Sequence, residues 1–387
     1  MPPLRLRQGF VTAAATALIL SGCGAPEPVP VPAPPPAPGE TVAARPELQP
    51  PVEGMPAVAD TTPAPVAARP TTAPATAARW TRHAPLPERR TEVSATTDGR
   101  YIYLAGGFGP PRGEERATAP RTLWRYDPRA DSWEALTQIP QGVHHTAFVH
   151  LNGKLYILGG FRETSFEPVG NVRIYDLASD RWSEGAPMPT PRGAIGLTVL
   201  EGRIHLLGGN AASEHAVHDH EGARITEDRS VNTHEAYDPA TNRWSRLAPM
   251  PTPRNHLGAA ALYNRIHAVV GRADGNARMT THEIYDAATD SWSTGPAVPT
   301  GRSGVAVLEH MGHVYLFGGE SFGEVQKTFD EAERYNPRTE RWERLPPMPT
   351  ARHGLGAAPF GSSIYVLSGG PQPGFHFGDF NERLEIP

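Results

Sequence analysis

Cysteine is almost absent: Cys23 is the single one in 387 residues, so no disulfide can form within the chain whatever its redox surroundings. An excess of basic charge is also missing, with 36 Lys and Arg against 41 Asp and Glu and a formal net charge of −5. No global positive field exists to recruit nucleic acid, and no nucleic-acid partner is expected. Sustained helical periodicity is lacking throughout. The apolar run from Val11 to Leu20 falls short of the roughly 20 residues that span a bilayer. Between Gly24 and Arg79 there is no Phe, Trp or Tyr, which leaves nothing there to build a core. What is plentiful is 43 Pro and 39 Gly, a level that implies many turns, unstructured chain, or both.

Residues 1–22 carry Arg5 and Arg7, then the apolar run, then small residues, the order of an export signal. The segment Leu20-Ser21-Gly22-Cys23 resembles the lipobox of bacterial lipoproteins, which implies cleavage before Cys23 and acylation of its thiol. Several acyl chains would anchor far more firmly than one. Gly24 in place of Asp implies the outer membrane where two membranes exist, with the protein facing the periplasm or the surface. Residues 23–79 then read as an acylated cysteine followed by a Pro/Ala-rich disordered tether. Its 16 prolines between Gly24 and Arg79 could extend it to roughly 170 Å at polyproline pitch. The lipid anchor is the only membrane contact expected.

From Trp80 onward the composition changes. Tryptophan recurs at Trp133, Trp182, Trp244, Trp292 and Trp342, and a tyrosine precedes each of these five by seven residues: Tyr126, Tyr175, Tyr237, Tyr285 and Tyr335. Apolar segments ending in glycine keep phase, such as YIYLAGG to Gly107, KLYILGG to Gly160 and RIHLLGG to Gly209. The fourth unit has Val270 where the first glycine should stand, and the sixth reads IYVLSGG to Gly370. Through the double glycine, the Tyr-Asp pair and the spaced Trp, residues 80–387 resemble the kelch family, whose bacterial members include the galactose oxidase-like central domain.

The units themselves point the same way. Each holds four short apolar segments divided by turn pairs such as Asp98-Gly99 and Asn152-Gly153, and a lone four-stranded sheet cannot cover both its faces. The expectation is an all-β protein, a six-bladed β-propeller of residues 80–387. The last unit stops at Pro387 without a Trp strand, so the strand opening at Trp80 is expected to join the last blade and close the ring.

Counting back 17 residues from the second glycine puts Arg90, Arg192, Arg254 and Arg302 at the start of four innermost strands, Val143 in the second unit and His353 in the sixth, where one inserted residue would bring Arg352 to the equivalent place. Hairpin geometry places these on one face with the residues after the glycines, Arg272 and Glu320 among them. Glu92, His144, His145, His256 and His353 stand beside the arginines. By resemblance they ring the mouth of a central pocket, and guanidinium and imidazole groups there favour a carboxylate, phosphate or acidic peptide. Symmetric recurrence suits structural bonding of blades, whereas Glu92, His144, His145, Arg272 and Glu320 break the symmetry. His215, His218 and His220 in the longest unit have metal-ligand chemistry, so a divalent metal there is an alternative to a cofactor-free protein.

The resemblance includes copper radical oxidases, whose chemistry needs a cysteine crosslinked to tyrosine; Cys23 lies outside the propeller and speaks against that activity. The expected function is a membrane-anchored, extracytoplasmic module binding a protein or glycan, anionic in character, through an Arg/His-rich face. The alternative is a mutarotase or epimerase acting on sialic acid-like or uronic acids. Glu92 or Glu320 would then exchange protons with His144, His145 or His256.

Overall fold

The computed structural model describes residues 78–386 apart from 114–116, 213–215, 219–223, 227–228, 274–278 and 323–325, and describes no side chains in 216–218 and 224–226. Among the described residues there are six four-stranded antiparallel sheets and no helix. The signal and tether expected in residues 1–77, with Cys23, lie outside them.

We number the blades by their inner strands: Ser94–Thr97, Ala147–Leu151, Gly196–Leu200, Gly258–Leu262, Ala306–His310 and Gly356–Phe360. Each inner strand lies against those of its two neighbours, and the sixth lies against the first. Blade one runs outward through Ile102–Ala105, Trp124–Asp127 and Ser132–Ala135 in sequence order. Blade six takes its outer strand from the other end of the described chain. Arg79–Arg82 pairs antiparallel with Asn381–Glu385, and Trp80 stands opposite Leu384.

The repeat tryptophans explain how blades join. Each indole N–H donates to a carbonyl of the blade before it: Trp133 to Ala84, Trp182 to Thr137, Trp244 to Ala186, Trp292 to Ala248 and Trp342 to Pro296, at 2.7–3.4 Å. Trp80 continues the series by donating to Pro346 at 2.9 Å. A half-buried indole satisfies its one donor this way while its rings fill the gap between sheets. The paired tyrosine serves the same joint. Tyr285 donates to Asp290, whose carboxylate also accepts from the backbone of Ala248 in the preceding blade. Tyr237 and Asn242 repeat this with Ala186.

The second glycine is required by close approach. Gly107 has φ +92°, and a Cβ there would lie 2.4 Å from the Thr91 carbonyl. The sixth unit corrects the sequence register: Ser368 (φ 57°) and Gly369 (φ +98°) adopt the paired conformation, and Gly370 is one residue further on. Arg352 therefore aligns with the other arginines without an insertion.

Candidate functional site

The five arginines expected at the pocket mouth are fully buried within their blades. In blades three to six each pairs with a buried glutamate of the third strand: Arg192 with Glu235, Arg254 with Glu283, Arg302 with Glu333 and Arg352 with Glu382, at 2.5–2.7 Å. A threonine two residues before each arginine donates to the same glutamate, as Thr252 does to Glu283 at 2.6 Å. Further guanidinium hydrogens go to backbone carbonyls: Arg254 reaches those of Val270, Thr252 and Ala268, and Arg352 those of Thr350 and Val366. Burial forces this arrangement, because an unpaired guanidinium inside a sheet would leave charge and donors unsatisfied.

Two blades depart from the pattern. Blade two has buried Val143 in place of arginine, and Arg173 where the glutamate would stand; Arg173 donates to Gln141 at 2.8 Å. Blade one has Trp124 at the glutamate position, and Arg90 pairs instead with Glu88, which occupies the threonine position. The acid is thus relocated in blade one and lost in blade two, a signal present in the sequence but hidden by the 29–43 residues between partners in the other blades.

Two residues beyond the arginine, each blade turns at the axis in the left-handed conformation: Glu92 (φ 55°), His145 (51°), Ala194 (54°), His256 (51°), Gly304 (66°) and Gly354 (58°). Backbone N–H groups of His145, Ala194, His256, Gly304 and Gly354 each donate to the equivalent carbonyl of the blade before, at 2.9–3.3 Å. Val93 N–H completes the circle by donating to Gly354 at 3.1 Å. Bulky residues at positive φ are strained, and the strain here carries the side chains of Glu92, His145 and His256 onto the axis. Gly354 leaves room for one of them, since a Cβ there would stand 2.8 Å from the Glu92 carboxyl carbon.

The side chains form one connected cluster. Glu92 lies 3.2 Å from His145 Nε2 through one oxygen and 3.4 Å from His353 Nε2 through the other. His353 Nε2 is also 3.4 Å from Glu320, which Arg272 binds at 2.8 Å. Arg272 donates in turn to His256 Nε2 at 3.0 Å. Of the expected site residues, the structure therefore gathers Glu92, His145, His256, Arg272, Glu320 and His353. His144 stands behind His145, its Nε2 on the Ser165 carbonyl at 2.7 Å. Below the ring is an axial cavity of about 80 Å³ lined by Glu92, His145 and His256 together with Val93, Ile195 and Leu257.

Burial, then the nearby Glu320 carboxylate, pushes Glu92 up to about 8, against the pull of Arg272. Burial likewise holds His145 and His256 well below the usual histidine range, and neighbouring imidazoles and Arg272 add to the effect. His144 falls to about 3 by burial. The imidazoles are therefore neutral at physiological pH. Two groups of potential metal-ligating atoms within 4.8 Å of one another occur among the described residues: Glu92 with His145 and His256, and Glu92 with Glu320 and His353. The loop proposed for metal is not testable in the same way, because His215 and His220 lie outside the described residues and His218 is described in its backbone alone.

An aromatic group borders the cluster and was not expected as a unit. Phe108 stacks on His144 with centroids 3.8 Å apart, and Phe166 and Phe375 stand 6.1 and 5.1 Å from Phe108. Phe166 and Phe375 are 42% and 44% exposed, two of only four large apolar side chains so exposed among the described residues.

Antiparallel four-stranded blades stitched into a ring define a β-propeller. Residues 89–139, 143–189, 220–251 and 301–349 match the Kelch motif, so the chain carries kelch repeats. It is 30% identical over 192 residues to Kelch-like protein terF of Aspergillus terreus, covering 48% of this chain and 40% of that protein. It is 28% identical over 195 residues to Kelch-like protein 40 of Xenopus tropicalis, covering 50% and 28% respectively. The chain thus spans less than half the length of these relatives. The solved structure of YjhT superposes with a TM-score of 0.63 over 78% of this chain and 96% of that one, at 15% identity, a likeness of fold.

Proposed function

We propose that this protein is a binding module for a protein partner, held to a membrane outside the cytoplasm by acylated Cys23 and its tether. The observation that carries the reading is the pair of half-exposed phenylalanines, Phe166 and Phe375, flanking the axial cluster. Solvent-facing aromatics beside polar groups are what interface centres are made from, and a kelch-repeat chain with kelch-like relatives fits that use. The anionic character of the partner would rest on Arg272, since the other five arginines are committed to their blades. The mutarotase alternative is not favoured by these relatives.

Crosslinking of the full chain in cell envelopes, compared with a Phe166→Ala/Phe375→Ala double variant of unchanged melting temperature, tests the face. Loss of specific protein adducts in the variant supports the reading; adducts unchanged in identity and yield contradict it, and a glycan-dependent adduct redirects it to carbohydrate. The anchor is tested separately by metabolic labelling with an alkynyl fatty acid. Label should enter the wild type and be absent from Cys23→Ser, which should leave the membrane fraction; equal labelling of both removes the anchor.

A further inference from the structure

The hydrogen bonds around the axial cluster fix which nitrogen of each histidine carries its proton. His353 Nδ1 is 3.1 Å from the Gly370 carbonyl, which can only accept, so Nδ1 is the protonated nitrogen and Nε2 is bare. His144 Nε2 donates to the Ser165 carbonyl, which leaves its Nδ1 as the acceptor for His145 Nδ1–H at 2.5 Å. His145 Nε2 is therefore bare too. His256 Nδ1 bonds the Asn255 side-chain oxygen, whose amide nitrogen is engaged by Ser230, and again Nε2 carries the lone pair.

All three lone pairs converge on the axis, and two of them face carboxylate oxygens at 3.2–3.4 Å. In the ion-free site the proton that burial keeps on Glu92 satisfies one of these contacts, and an ion would displace it. The 3.2 Å between Glu92 and His145 Nε2 is close to the roughly 3.3 Å edge of a tetrahedron of ligands about 2.0 Å from a metal, and the ligating atoms of Glu92, His145 and His256 all lie within 4.8 Å of one another. Each imidazole is held through Nδ1 by an outer partner, the arrangement that fixes metal-ligating histidines in place.

We propose that the axial cluster binds one divalent first-row transition ion through Glu92 and the Nε2 atoms of His145 and His256. Two neutral imidazoles and one carboxylate suit zinc or ferrous iron better than magnesium or calcium, which prefer all-oxygen shells. Arg272 yields its bond to His256 as the ion enters and keeps Glu320. His353 and Glu320 flank the remaining positions, where a carboxylate of a bound partner could complete the shell.

Full-length protein, stripped with chelator and then dialysed against zinc, is assayed by elemental analysis and by calorimetric titration. One zinc per chain is expected, retained when His215, His218 and His220 are all replaced by alanine. Glu92→Gln and His256→Gln should each weaken binding at least tenfold without loss of the folded circular dichroism signal. His144→Phe, which removes the acceptor behind His145, should weaken it by roughly ten- to a hundredfold. Should these variants fail to fold, X-ray absorption on the zinc-loaded wild type decides: two imidazoles in the first shell support the site. No stoichiometric zinc, a zinc shell without imidazole, or binding lost with the loop histidines and retained in Glu92→Gln would overturn it.

Discussion

Arg254 illustrates how much each blade depends on one side chain. Its guanidinium is fully buried, ion-paired to Glu283, and bonded to three carbonyls of its own blade. Removing the acid and leaving the cation strands a buried charge, so Glu283→Gln should destabilise the protein by about 3–5 kcal/mol in chemical denaturation. Glu88→Gln in blade one should cost clearly less, because that carboxylate is 34% exposed and water can replace it. Equal losses at the two sites would mean that the pairs are not what holds the inner strands. The anion-binding role expected of these arginines from sequence fails because all five guanidinium groups are buried within their blades and committed to ion pairs there. Spacing along the chain announced the arginines but not their partners, which come from a strand some thirty residues later.

At the scale of single blades, the second and third strands carry Tyr156 and Val172 in blade two but His205 and His234 in blade three, and His267 and His282 in blade four. The histidines of each pair are 2.9 Å apart and buried. Burial lowers His205 and His267 to about 3 and His234 and His282 to about 4. In the unfolded chain these rings take up protons near pH 6.5, so between about pH 6.5 and 3 the unfolded state binds more protons than the folded one. Stability therefore rises with pH through that window and falls on acidification. The melting temperature should drop by several degrees between pH 7 and pH 4.5, and the double substitution His205→Tyr/His234→Val, copying blade two, should flatten that slope. A slope unchanged by the substitution would assign the acid sensitivity elsewhere. Strand positions within each blade were readable because apolar runs and turn pairs repeat. The paired histidines were not, because a lone His on an apolar strand gives no sign that its partner stands one strand away.

Across the whole molecule, six copies of a sheet that cannot bury both faces alone are joined by three six-membered patterns. The inner strands touch in a circle, the axial turns pass backbone hydrogen bonds from blade to blade, and the tryptophans staple each outer strand to the blade before. This architecture was legible because tryptophan and glycine recur for physical reasons: an indole that needs an acceptor, and a backbone approach that excludes a Cβ. The axial cluster was legible in part. Its residues sit at fixed offsets from the arginines and glycines, yet nothing in the sequence says that left-handed turns aim Glu92, His145 and His256 at one point. The sixth unit misled the count by one residue, because Ser368 takes a glycine's conformation.

The strand Arg79–Arg82 supplies the outer edge of blade six, and Trp80 bonds Pro346 and packs on Phe317 as it does so. Thermal unfolding of the full chain beside a variant lacking residues 79–86, followed by circular dichroism, tests the closed ring most directly. The shortened protein should melt in one transition many degrees lower, or fail to fold. An unchanged melting temperature would contradict the ring and the axial site that depends on it.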